Sequence, residues 1–274
     1  MKRSFIALLA SLFALASCSA QVSPRQDPMQ MKDPYALQGI FNFSTEEFDK
    51  TLNSLPADIS ALIKEKRVPF LVTLNRILSY SKDTFALADK QHSLPSDYAP
   101  ADLVSLNDYP LAVSRNDLSL RRIIMPDVMA MKTAAENDGL NLVFSSSYRS
   151  FAYQDIVYKR NVKELGQEQA DRESARPGTS QHQLGTVIDF GSVTDAFGNT
   201  PEGKWLFDHA WEYGFTLSYP EGFEQLTGYR HESWHYRWIG RPAAMLVHEY
   251  FKDIQHYFLY YINENWDFFT EGKQ

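Results

Sequence analysis

The architecture turns on His231-Glu232-Ser233-Trp234-His235-Tyr236-Arg237-Trp238-Ile239. Two histidines four apart, with a glutamate beside the first, would bring both imidazoles to one metal on a helix, because residues four apart share a helix face. The composition argues otherwise. Between Gly228 and Gly240 stand Tyr229, Trp234, Tyr236, Trp238 and Ile239, and aromatic and β-branched density of this kind favours a strand. On a strand the two imidazoles lie roughly 13 Å apart at about 3.3 Å per residue, too far to share an ion. We therefore expect an extended segment over 231–239. The helical reading stays open, with Glu249 downstream as a third ligand.

Working outward, Thr186 to Phe190 reads as a buried strand, Lys204 to Tyr213 as a helix closed by Gly214, and Pro242 to Trp266 as one terminal helix. Upstream, Ile123, Ile124, Val128, Met131, Ala134 and Ala135 recur at core spacing and predict a long helix from about Leu118 to Asp138, ended by Gly139. Leu140 to Phe144 reads as a strand and Phe151 to Leu165 as a helix. Residues 88–106 are loop-rich. From Phe41 to Tyr80 the pattern is helical, with Ser44 or Thr45 able to cap before Glu46-Glu47. Helix and strand alternate without a regular βαβ rhythm or a glycine-rich phosphate loop, so the class is α+β.

The chain has 274 residues, is 44% hydrophobic and carries a net charge of −7, enough to bury a core and a poor balance for gripping nucleic acid. Its single cysteine, Cys18, excludes an intrachain disulfide and any zinc site built on several thiolates. Met1 to Ala20 has two basic residues, a short apolar run and a small-residue exit, the parts of a secretory signal. The uncharged run from Ser4 to Ser17 is shorter than the roughly 20 residues a spanning helix needs. Leu15-Ala16-Ser17-Cys18 resembles the lipobox of bacterial lipoproteins, which implies cleavage before Cys18 and acylation of that residue. The expected organisation is a signal over 1–17, a flexible tether over 18–39, a helical lead-in over 40–84, a main folded domain over 85–240 and a C-terminal helix over 241–274 packed on it.

Two polar segments hold histidines beside carboxylates: Ser180-Gln181-His182-Gln183-Leu184-Gly185-Thr186-Val187-Ile188-Asp189, and His231 to His235. With no cysteine in the body, a transition-metal site must use imidazole and carboxylate, a set that suits catalytic zinc. Nothing in the residues themselves brings these segments together. Asp195, Asp208, Glu212 and Glu224 read as solvated, and His92 and His209 as surface or packing residues. His248 and His256 stand too far apart on a helix to pair on one metal, and the aromatic stripe from Tyr250 to Tyr261 reads as core.

Taken together the motifs resemble the VanY-like D-alanyl-D-alanine carboxypeptidases of the LAS metallopeptidase group. The SxHxxGxxxD motif stands as Ser180 to Asp189 after Pro177-Gly178, ExWH as Glu232 to His235, and SxYRS as Ser146 to Ser150 with Gln154 following. The likeness runs from about Phe85 to Ile239. It implies a small antiparallel sheet flanked by helices, the LAS/hedgehog-like core, with a helical N-terminal lead-in. It further implies one Zn²⁺ ion held by His182, Asp189 and His235, with Glu232 as general base and acid and Arg149 on the oxyanion. Ser180, Gln154, Ser147 and Tyr148 would contact substrate. The implied activity is removal of the terminal D-alanine from peptidoglycan stem peptides. Alternatives are an L,D-carboxypeptidase on tetrapeptide stems, a non-catalytic peptidoglycan-binding lipoprotein, or a zincin protease if 231–235 is helical. We expect a monomer in the bacterial cell envelope, extracytoplasmic and anchored in a lipid membrane through Cys18, facing the periplasm if the cell is Gram-negative. Three positions depart from the family pattern: Ser233 for proline, Val187 for a small residue, and Ser218 for an arginine before Tyr219-Pro220, the last expected at the substrate rim.

Overall fold

The computed structural model describes residues 40–273, so the signal, Cys18 and the tether lie outside the described residues. Helix α1 (Thr45–Thr51) begins at Ser44, whose hydroxyl accepts from the Glu47 N–H while the Glu47 carboxylate accepts from the Ser44 N–H. This reciprocal cap satisfies two donors that a helix start leaves open. α2 (Ala57–Glu65) and α3 (Arg67–Ile77) follow, and then a long irregular stretch reaches β1 (Leu103–Ser105). β2 (Ala112–Val113), β3 (Ser119–Arg121), α4 (Met125–Asn137), β4 (Val143–Ser146), α5 (Phe151–Leu165) and α6 (Gln167–Glu173) lead to β5 (Val187–Phe190). The chain closes with α7 (Pro201–His209), β6 (Phe215–Leu217), α8 (Glu224–Thr227), β7 (His235–Trp238), α9 (Arg241–Tyr250) and α10 (Gln255–Glu271).

Five strands form one sheet in the order β2-β4-β5-β7-β6, antiparallel except for the parallel pair β2 and β4 at one edge. β1 and β3 make a separate antiparallel pair. Because side chains alternate along a strand, the central pair has two characters. Ile188 faces across to Tyr236, and with Phe190 and Trp238 they enter an apolar core with Val128 and Met131 of α4 and Leu206 of α7. Asp189 pairs with His235, and Val187 with Arg237, on the opposite face. The helical lead-in is no separate body. Phe48, Ile63, Phe70 and Leu74 share a second core with Leu246, Tyr250, Phe258, Tyr261 and Phe269 of the two last helices.

Four expectations are corrected. The helix expected from Leu118 starts only at Met125, with Pro126 in its first turn. Leu118 and Leu120 are buried while Ser119 and Arg121 are half-buried, the period-two pattern of β3, and Ile123 is exposed rather than core. The helix expected to Tyr213 ends at His209 and continues as a 3₁₀ turn, Ala210–Tyr213, closed by Gly214 at φ 86°. A Cβ there would meet Trp238 Nε1 at 2.8 Å, so the position needs glycine twice over. The extended segment expected from His231 begins at His235, because 231–234 is a loop. The terminal helix is two helices, broken where Lys252 and Asp253 take φ 55° and 61°. Asp253 donates its N–H back to the Val247 oxygen and its carboxylate meets His248 Nδ1 at 2.8 Å.

Candidate active site and metal centre

Register places the first two functional groups. Asp189 on β5 is the pairing partner of His235 on β7, so both side chains rise from the same face of the sheet. His182 arrives from a 3₁₀ turn, Gln181–Leu184, ended by Gly185 at φ 71°, where a Cβ would press on Arg121, Leu103 and Pro100 at 3.0–3.2 Å. The three side chains are 2–4% exposed, and one ligand atom from each lies within 4.8 Å of the others.

Hydrogen bonding fixes which atoms face inward. His182 Nδ1 sits 2.6 Å from the Ser147 carbonyl oxygen, which only accepts, so this nitrogen carries the hydrogen and Nε2 presents a lone pair. That lone pair stands 3.2 Å from Asp189 Oδ2, two acceptors face to face, and Nε2 has no hydrogen-bond partner. His235 Nδ1 lies 3.2 Å from Asp189 Oδ1 and 3.2 Å from Glu232 Oε2. Tetrahedral zinc with bonds of about 2.0–2.1 Å sets its ligand atoms about 3.3 Å apart, so a cation fits the arrangement and removes the repulsion. Burial lowers the His182 pKa to about 4, with Arg149 adding to the effect, which keeps the ring neutral as a ligand must be. Burial alone would raise Asp189, but His182 and His235 beside it hold the carboxyl well below the usual range. Burial likewise opposes charge on His235, yet hydrogen bonds with Asp189 and Glu232 outweigh it and raise the ring's pKa.

Around this centre is a cleft of about 420 Å³ lined by Arg149, Gln154, Ser180, His182, Asp189, Glu232 and His235. Arg149 follows β4, and its Nη1 donates to Gln154 Oε1 at 2.9 Å while Nη2 points to Asp189 Oδ2 at 3.4 Å. Gln154 in turn donates to the Ala175 carbonyl at 2.7 Å, which locks the guanidinium fork. Burial lowers the Arg149 pKa, and Asp189 and Glu232 oppose that shift. Glu232 is carried by a loop hung on the Tyr219 carbonyl, which accepts from the Glu232 N–H at 3.0 Å and pairs with His231 Nδ1 at 2.9 Å.

Other residues are placed differently. His231 is spent on Tyr219 and stands outside the His182–Asp189–His235 cluster; with 231–234 a loop, the helical metal motif is overturned. Ser147 is fully buried, its hydroxyl accepting from the Ser119 N–H at 3.0 Å, so it orients His182 through its carbonyl and lines no cleft. Tyr148 is half-buried and also outside the lining, its N–H donating to the Ser119 oxygen. The pull of β3 on the chain after β4 is the cause in both cases. Ser218 is not at a rim: it is fully buried, bonded to Gln181 and Gln255.

A family model for VanY, D-alanyl-D-alanine carboxypeptidase, matches residues 117–241. Putative carboxypeptidase YodJ of Bacillus subtilis (strain 168) is 34% identical over 186 residues, which cover 65% of this chain and 67% of that protein. The chain belongs to the VanY D-alanyl-D-alanine carboxypeptidase family. Among solved VanY-like structures, the LdcB LD-carboxypeptidase is 32% identical with a TM-score of 0.57, covering 63% of this chain and 87% of that one. A mutant of the vancomycin-resistance D,D-pentapeptidase VanY in complex with Zn(II) is 26% identical with a TM-score of 0.54, covering 65% and 99%. The VanY motifs contain every residue of the metal-facing cluster. Motif reading missed Arg115 and Tyr153, which also line the cleft, with the Arg115 guanidinium 5.7 Å over the Tyr153 ring. Tyr153 carried a signal, since Tyr153, Val157, Asn161 and Leu165 repeat every four residues and form the α5 wall of the cleft.

Proposed function

We propose that the protein is a zinc-dependent D-alanyl-D-alanine carboxypeptidase that removes the terminal D-alanine from peptidoglycan stem peptides. The observation that carries this reading is the buried lone pair of His182 Nε2 aimed at the Asp189 carboxylate, an arrangement that calls for a cation, with the Glu232 carboxyl 3.2 Å from His235 Nδ1. His182, Asp189 and His235 would hold the ion. When bound, zinc polarises the scissile carbonyl and lowers the pKa of water.

The protein's own groups do the rest. Glu232 takes a proton from the water that adds to the penultimate carbonyl carbon. Arg149, locked by Gln154, donates hydrogen bonds to the carbonyl oxygen as negative charge develops there. Glu232 then passes its proton to the nitrogen of the departing D-alanine as the C–N bond breaks. Ser180 meets the substrate near the metal. Arg115, Arg149, Arg160 and Arg230 line the cleft together with Glu173, Asp189 and Glu232, so guanidinium groups are at hand for the carboxylate of a peptide C-terminus.

The likeness to LdcB supports a second reading, cleavage of the L,D bond of a tetrapeptide stem by the same constellation. Incubation of the purified protein with pentapeptide and tetrapeptide muropeptides, followed by mass spectrometry, separates the two. We further propose an extracytoplasmic, lipid-anchored enzyme, supported by the sequence Leu15 to Cys18. No helix of the described residues is long and apolar enough to cross a membrane. Incorporation of labelled fatty acid in cells, lost in Cys18→Ser, is the expected result, and equal labelling of the variant would refute lipidation at Cys18.

A further inference from the structure

Behind His235, on the side away from the cleft, buried side chains form a hydrogen-bond chain that ends on the last helix. Gln255, the first residue of α10, places Nε2 3.3 Å from the Thr216 carbonyl oxygen and 2.9 Å from Ser218 Oγ. Ser218 Oγ lies 2.7 Å from Gln181 Oε1, and Gln181 Oε1 lies 3.3 Å from His235 Nε2. Gln181, Ser218, Gln255 and His235 are all buried.

The hydrogens along this chain can be assigned from one end. A backbone carbonyl only accepts, so Gln255 presents its amide nitrogen to Thr216 and a second hydrogen of that nitrogen to Ser218 Oγ. Ser218, accepting from Gln255, has its own hydrogen left for Gln181, which must therefore present oxygen. An amide oxygen cannot donate, so the hydrogen of the last link sits on His235 Nε2. The neutral ring then carries its lone pair on Nδ1, the atom that faces Asp189 and Glu232.

We propose that Gln181, Ser218 and Gln255 are positioning residues that set the tautomer and ring orientation of His235, which makes the start of α10 part of the support of the metal centre. The inference rests on the zinc reading of the site. It also explains an asymmetry between the two histidines. His182 is held by a backbone oxygen, whereas His235 depends on side chains from three separate places: the turn bearing His182, the end of β6 and the start of α10. His256, next to Gln255, contributes nothing to the chain, since neither of its ring nitrogens has a hydrogen-bond partner. Groups that orient a ligating histidine through its second nitrogen are worth about 10–100-fold in metal affinity.

The test is zinc affinity by chelator competition on the whole protein, read beside the thermal unfolding of the zinc-free form. Ser218→Ala and Gln255→Leu should each bind zinc about tenfold or more weakly. The visible spectrum of the cobalt-loaded Ser218→Ala protein should shift, which loss of packing alone would not produce. Gln181→Glu keeps an acceptor for both neighbours and should retain affinity. Tyr260→Phe, which removes a bond from the same helix to Asp89, should leave affinity unchanged. Native affinity in both Ser218→Ala and Gln255→Leu, or an equal loss in Tyr260→Phe, overturns the proposal while the zinc reading stands. No zinc uptake by the unsubstituted protein would instead remove the zinc reading, and the inference with it.

Discussion

A neutral imidazole lone pair pointed at a carboxylate is costly when both are buried, and His182 and Asp189 are 2% and 3% exposed. A cation between the two groups would relieve that cost, so substitutions at these atoms should be read first in metal content. His182→Ala should lose zinc, whereas His231→Ala should retain it, because His231 is bonded to the Tyr219 carbonyl and turned from the cluster. Elemental analysis after dialysis checks both, and loss of zinc in His231→Ala alone would restore the helical metal motif. Arg149 makes a different demand. Arg149→Lys keeps a positive charge but loses the fork that spans Gln154 and the cleft, so kcat should fall about 10²–10³-fold with zinc content unchanged.

Among the elements, β7 positions His235, and of the 231–239 segment expected to be extended only 235–238 is a strand. The aromatic residues at Tyr236 and Trp238 announced the strand because they feed the core between the sheet and α4, and Trp238 donates to Asp127 at 2.9 Å. The loop at 231–234 was not legible, because what holds it is the carbonyl of Tyr219, a backbone group with no trace in composition. The break between α9 and α10 was hidden for a similar reason. It occurs at Lys252 and Asp253, with neither glycine nor proline, and is sustained by bonds to Val247 and His248. The 118–121 segment was legible in principle, since its apolar residues alternate, but the helical period downstream overran it. Most of the site was readable because its residues sit in contiguous motifs; Gln255 was not, because it reaches the site only through the fold.

The start of α10 also carries an acid-sensitive group. Burial lowers the His256 pKa from 6.5 to about 4. Below pH 6.5 the unfolded chain therefore takes up a proton that the folded chain refuses until about pH 4, so stability falls across that window, by up to about 3 kcal/mol at its acid end. Urea unfolding of His256→Leu should show a flatter acid limb between those pH values than the native protein. An identical slope would mean that His256 is not held neutral.

At the scale of the molecule, the lead-in helices and the two last helices share one core, although the motifs lie almost wholly outside both. A truncation beginning at residue 85 would expose the partners of Phe48, Phe70 and Leu74. It should unfold at markedly lower temperature or aggregate rather than yield a minimal catalytic domain, as differential scanning calorimetry would show. The packing also gives the relay from Gln255 to His235 its foundation, since α10 is fixed by the same core that buries Phe258, Tyr261 and Phe269. All of this converges on one reaction, and the decisive measurement is D-alanine release from a pentapeptide muropeptide by mass spectrometry, comparing the zinc-loaded protein with Glu232→Gln. The native protein should release one D-alanine and the variant none, both holding one zinc ion. Zinc-loaded native protein that releases nothing, or equal release by Glu232→Gln, would contradict it.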